Sequence, residues 1–246
     1  MLSLVRVFLL TLIGVLTCCP LPAWCQEYTV ESIETRAPAE EVAAAVADQL
    51  GGSGVKVVRD GTRVVCEIWL LKSWELKSFT PEGDVLYPFT PGQLIGVLRL
   101  PRKTGDFRDQ GVAKGVYTLR YAQQPVDGAH VGTSPTRDFL LLNKAAADPS
   151  PEARDLESLM KDAAEAAGTA HPAMLALKAA STDGEKLRHD EANDWRLLRL
   201  NGKGRVGAEE KDLPLDVVVI GHANEESEFS MATLRSRREL LTLSLG

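Results

Sequence analysis

The sequence predicts a mainly β protein with some α: an antiparallel β-sandwich carrying a short N-terminal helix and a helical insertion. Three observations lead there. Short apolar segments, alternating or β-branched, recur between clusters of Gly, Pro and Asp. One tight-turn dipeptide, Asp60-Gly61, sits between two such segments. Most neighbouring strand segments have no helix between them, which a parallel sheet would need. The chain has 246 residues, 44% hydrophobic and 25% charged, enough apolar material for the core of one domain with at most a small appendage. The net charge of -6 leaves no strong basic field, so nucleic acid is not an expected partner.

The N-terminus predicts export. Arg6 precedes an apolar run from Val7 to Leu16, followed by Pro20, Pro22 and Ala23-Trp24-Cys25. A charge, a short apolar stretch and a small-residue end describe a secretory signal peptide over 1–25, with Gln26 as the mature start. The run falls short of the ~20 residues of a membrane span, so no span is expected after cleavage. A retained anchor, or lipidation at the lipobox-like Leu16-Thr17-Cys18-Cys19, are the alternatives. Cleavage removes Cys18, Cys19 and Cys25 and leaves Cys66, which cannot form an internal disulfide. Its setting, "RVVCEIWLL", marks it as a buried apolar side chain.

The elements follow in order. "EYTVESIETRA" alternates as a first strand. "PAEEVAAAVADQLG" changes to helical spacing at Val42, Val46 and Leu50, with Pro38 at its start and Gly51 at its stop. "VKVVRDGTRVVCEIWLLKSW" is a hairpin. Residues 79–92 are loop, "QLIGVLRLP" is a strand, "RKTGDFRDQGVAKG" a polar loop, "VYTLRY" a strand, "AQQPVDGAHVGTSPT" a long loop and "RDFLLLN" a strand. The insertion spans about 150–181. Its first helix has Ser150 as cap and Leu156, Leu159, Met160, Ala163, Ala164 and Ala167 on one face, and Gly168 ends it. A second short helix, "PAMLALKAAS", follows Pro172. "DWRLLRLNG" and "LPLDVVVIG" are strands, the latter covered on both faces because "VVVI" does not alternate. The sandwich ends near 223, and residues 224–246 form a tail whose "ELLTLSL" suits an edge strand.

In "KGVYTLRY", Gly115 precedes Tyr117 by two residues and alternation follows. The stretch resembles the late-strand motif of immunoglobulin-like and transthyretin-like sandwiches. That resemblance implies a turn at Gly115 and a tyrosine packed at the sandwich corner. "EIWLLKSW", "GVYTLRYAQQPVDGAHVG" and "RDFLLLNKAA" are similar to exported proteins of planctomycete-type bacteria of no assigned activity. This second resemblance implies export and fold, and no catalytic residue.

Catalytic signatures are lacking. There is no G-x-S-x-G, "GGSG" at 51–54 is neither a nucleophile elbow nor a phosphate loop, and Glu40-Glu41 and Glu225-Glu226 are neighbours whose side chains point apart. His130, His171, His189 and His222 lack metal-ligand spacing, Asp106 and Asp109 miss the EF-hand pattern and read as solvated loop carboxylates, and neither metal nor cofactor is expected. Trp69, Trp74 and Trp195 are candidates for sugar stacking or for core packing. Arg235, Arg237 and Arg238 read as a solvated face. The polar cluster in the long loop is the candidate ligand site: Asp127, His130, Thr133, Arg137 and Asp138, with Ser134 and Thr136 among them. The expected role is a secreted or periplasmic, non-enzymatic binding or structural protein, its partner an envelope protein or a saccharide. The alternatives are a carbohydrate- or small-ligand-binding module using the 127–138 loop, and a hydrolase whose site assembles only in three dimensions.

Overall fold

A computed structural model describes residues 27–108, 110–124, 136–181 and 184–221. The strands are β1 (Tyr28–Ile33), β2 (Gly54–Arg59), β3 (Arg63–Leu70), β4 (Trp74–Glu75), β5 (Leu94–Leu100), β6 (Thr104–Gly105), β7 (Gly111–Val112), β8 (Gly115–Gln123), β9 (Asp138–Lys144), β10 (Met174–Lys178), β11 (Leu187–Asp190), β12 (Trp195–Val206) and β13 (Glu209–Ile220). The helices are α1 (Ala44–Ala47) and α2 (Leu156–Ala167). The fold is mainly β, as expected. Where the sequence predicts two facing sheets, however, eleven strands form one sheet ordered β1-β2-β3-β5-β8-β9-β10-β13-β12-β11, with β4 beside β12. That sheet curls into a half-barrel.

The curl turns on β10. Met174, Leu175 and Ala176 pair with β9, and Leu177 and Lys178 pair with β13, so five residues join two half-sheets. The sequence expectation of a second helix here is overturned. "MLALK" has helix-forming residues, but as a strand it directs Leu175 and Leu177 into the core and Ala176 to the outer face. Tertiary packing outweighs a propensity worth tenths of a kcal/mol per residue. The Tyr87 hydroxyl enters the ladder at this joint: it donates to the Lys178 carbonyl (2.6 Å) and accepts from the Asp216 N–H (3.1 Å), between two residues paired across β10 and β13.

Alternation fills the concave side. Tyr117, Leu119 and Tyr121 of β8, Leu140 and Leu142 of β9, and Leu215, Val217 and Val219 of β13 all belong to the main core. Trp74, Tyr87 and Phe89 pack into it from the connection between β3 and β5. The Tyr117 hydroxyl donates back to the Ala113 carbonyl at 2.8 Å. Val218 faces outward onto Phe107, Phe139 and Trp195, so "VVVI" is indeed covered on both sides.

The outer face is organised by Arg120, whose side chain is fully buried. Its five N–H groups all find acceptors: both Asp148 carboxylate oxygens and the carbonyls of Gly92, Ser150 and Glu152. This explains a shifted helix start. The carbonyls of Ser150 and Glu152 serve Arg120, so α2 begins only at Leu156, with Asp155 as its cap accepting from the Ser158 N–H at 2.9 Å. Gly168 ends it in the left-handed conformation, as predicted. Gly92 must be glycine: its φ is +85°, and a Cβ there would lie 1.9 Å from the Arg154 carbonyl oxygen.

α1 is shorter than predicted. Ala43 brings no side-chain cap, and only four residues are helical. Val42, Val46 and Leu50 are nevertheless buried against Trp69, Leu94 and Val97. The polar loop before β8 contains the β6–β7 hairpin, and its Asp106 is not solvated. Its buried carboxylate accepts from the Arg108 and Gln110 N–H groups and the Arg108 guanidinium. Among the described residues no helix is long and apolar enough to cross a membrane.

Replacing Arg120 by Met should cost about 3–5 kcal/mol in urea unfolding, because it removes five hydrogen bonds, two of them to the buried Asp148 carboxylate. Burial alone would raise the Asp148 carboxyl, but hydrogen bonds from Arg120, Thr118 and Arg154 bring it below its ordinary value. The stability it contributes is therefore present above the unfolded carboxylate range and lost as pH falls through the depressed folded value. The stability gap between wild type and Asp148→Asn, measured by urea titration from pH 7 downward, should hold at neutral pH and narrow below about pH 4.

Candidate functional site

The β2–β3 hairpin turns at Asp60 (φ +52°) and Gly61 (φ +70°), and the Thr62 N–H donates to the Arg59 carbonyl at 3.3 Å. A bulge between Val57 and Val58 resets the register so that Arg59 lies directly opposite Arg63. On the other side of β2, Arg59 lies opposite Tyr28 of β1. Tyr28, Arg59 and Arg63 thus form a row across three adjacent strands.

Curling of the sheet brings its other half to this row. Ile220 and Gly221, at the end of β13, close the opposite wall, and Arg102, Lys103, Thr104 and Gly105 of the β5–β6 turn close the third side. The Arg196 guanidinium of β12 lies 5.4 Å from the centre of the Tyr28 ring, and that of Arg59 6.0 Å from it. Gly221 packs on the Phe107 backbone so closely that a Cβ would come within 2.4 Å of its carbonyl oxygen. The result is a cleft of about 200 Å³ with four cationic side chains, Arg59, Arg63, Arg102 and Lys103. Of these, Arg59 pairs with the exposed Asp60 (3.2 Å); among the described residues Arg63, Arg102 and Lys103 have no ion-pair partner. A concentrated positive site on a chain of net charge -6 is suited to holding an anion.

Beneath the cleft lies an apolar cavity of about 10 Å³, lined by Cys66, Leu98, Leu100 and Val219 and sharing Val65, Thr104 and Gly105 with it. Burial pushes the Cys66 thiol up to about 12, which disfavours the thiolate at neutral pH.

Of the residues that the sequence singles out, Asp127, His130 and Thr133 lie outside the described residues, as do Ser134, the signal segment and the tail. Arg137 donates through its guanidinium to the Gln124 carbonyl (3.2 Å), bracing the two ends of the long loop. Asp138 is fully buried and points into the core. It accepts from the Tyr121 hydroxyl at 2.6 Å and from the backbone N–H groups of Leu86 and Tyr87 at 3.0 and 3.3 Å. Trp69 and Trp74 are buried, their indole N–H groups donating to the carbonyls of Thr35 and Ile95; Trp195 is buried too. All three pack in the core and present no flat face for a sugar. Among the described residues no group of three or more His, Cys, Asp or Glu side chains is placed to hold a metal.

The class that these features define is a curled-sheet protein with a cationic cleft where its first strands meet its last. Comparison with family models, with curated proteins and with solved structures gives no match to this chain.

The cleft escaped sequence reasoning: a two-residue turn at Asp60-Gly61 would set Arg59 opposite Thr62, and its pairing with Arg63 is seen only in the ladder. Two outcomes follow from the geometry. Asp138→Ala strands three donors and should lower unfolding stability by at least about 1–3 kcal/mol, measured in urea. Cys66 should resist iodoacetamide at pH 8 in the folded chain and react within minutes in denaturant, read by mass spectrometry.

Proposed function

We propose that this is an exported, non-enzymatic binding protein of the periplasm or cell envelope, and that its ligand is anionic. The cationic cleft at the seam of the half-barrel carries the reading. Three of its four charged side chains lack ion-pair partners among the described residues. The signal-like N-terminus supports the location. The lining of the cleft offers cations, one tyrosine and one threonine hydroxyl, but no acid or base pair of the kind that catalysis needs.

A thermal-unfolding panel on the full chain tests it, with anions, neutral saccharides and divalent metals at matched ionic strength. An anion present at 100 times its dissociation constant should add about 2.7 kcal/mol, read as a raised midpoint. Neutral saccharides should add nothing. A shift with a neutral saccharide and with no anion would sink the cleft reading and return attention to the 127–138 loop.

A further inference from the structure

The apposition of Arg59 and Arg63 calls for a reason. Side chains directly opposed on neighbouring antiparallel strands have Cβ atoms ~5 Å apart, and like charges so placed destabilise a sheet. Arg102 and Lys103 add two more positive charges to the same cleft, and among the described residues the one acidic partner, Asp60, engages Arg59 alone. Four cations thus line a cleft of about 200 Å³, three of them exposed to solvent. The arrangement becomes favourable once a multiply charged anion sits among them.

We infer that the cleft binds a phosphate group carrying at least two negative charges, held between the opposed guanidinium groups of Arg59 and Arg63 and closed over by Arg102 and Lys103. This rests on the anionic-ligand reading above and narrows it. Arginine forks match the oxygens of an oxyanion in pairs, and two forks on adjacent strands reach different oxygens of one tetrahedral centre. A planar monocarboxylate offers two oxygens and one charge, leaving most of the cleft unneutralised. Thr104 brings a hydroxyl to the same wall, and the cleft has room for a small organic group beyond the phosphate. The phosphate source is either a soluble ester or a lipid headgroup; the binding chemistry is common to both.

The test is a titration of the thermal midpoint of the full chain with pyrophosphate, glycerol phosphate, citrate and acetate at constant ionic strength. Sedimentation with vesicles containing phosphatidic acid, whose headgroup is a phosphomonoester, against phosphatidylcholine vesicles, runs beside it. Wild type, Arg63→Thr and Arg102→Thr are compared. Pyrophosphate should raise the wild-type midpoint saturably and acetate should not. Each variant should lose at least tenfold in affinity. Arg63→Thr should also have an unliganded midpoint equal to or above that of wild type, since a repulsion is removed; a merely structural arginine would lower it. Saturation by glycerol phosphate identifies a soluble ester, whereas Arg63-dependent sedimentation with phosphatidic acid vesicles alone identifies a headgroup. Binding of citrate without pyrophosphate overturns the phosphate assignment and leaves the anionic cleft standing. No response to any anion overturns both. A pyrophosphate response unchanged in both variants overturns the site.

Discussion

The joint at β10 is the constraint on which the rest of the structure depends. Five residues hydrogen-bond to β9 with one end and to β13 with the other, and so convert two half-sheets into one curled surface. The Tyr87 hydroxyl occupies a position between Lys178 and Asp216 that a direct ladder bond would otherwise fill. A hydroxyl is both donor and acceptor, so it spreads the strands without orphaning either backbone group. Asp216 then draws Arg188 and Arg199 to its carboxylate and fixes β11 and β12 against β13. Without the curl, the end of β13 would not reach the first hairpin and there would be no cleft.

Arg120 plays the matching part on the convex side. A buried guanidinium is tolerable only when every N–H is satisfied, and here one side chain meets that demand with acceptors from two stretches of chain, Gly92 and residues 148–152. The segment between β9 and α2 is shaped by this need rather than by helix propensity. The bonds of Arg120 tie β8 to the turn before β5 and to the segment that leads into α2.

Much of the β framework was legible because its signals are local. Alternation in "GVYTLRY" correctly places Tyr117, Leu119 and Tyr121 on one face and Val116, Thr118 and Arg120 on the other. The Asp60-Gly61 dipeptide fixes its hairpin, and the lone cysteine is buried as its neighbours imply. What was illegible is non-local. "MLALK" carries no strand signature of its own; its conformation is imposed by β9 and β13. Two facing sheets and one curled sheet share the same alternation, and only the pairing of β10 distinguishes them. Asp138 illustrates the difficulty with sites. A carboxylate in a polar run reads as a ligand group, yet its partners Tyr121, Leu86 and Tyr87 arrive from distant segments and take it inward. The cleft draws its walls from residues 28 to 221 and is visible only once the sheet has curled.

The Asp60-Gly61 turn has a consequence beyond closing a hairpin. Side chains on a strand alternate between faces, so a slip of one residue would exchange Arg59 for Val58 on the concave side. The left-handed turn and the bulge at Val57 together pin that parity. The electrostatic sign of the cleft is therefore encoded in backbone geometry as much as in the arginines: the parity of the hairpin decides that Arg59 and not Val58 faces the concave side.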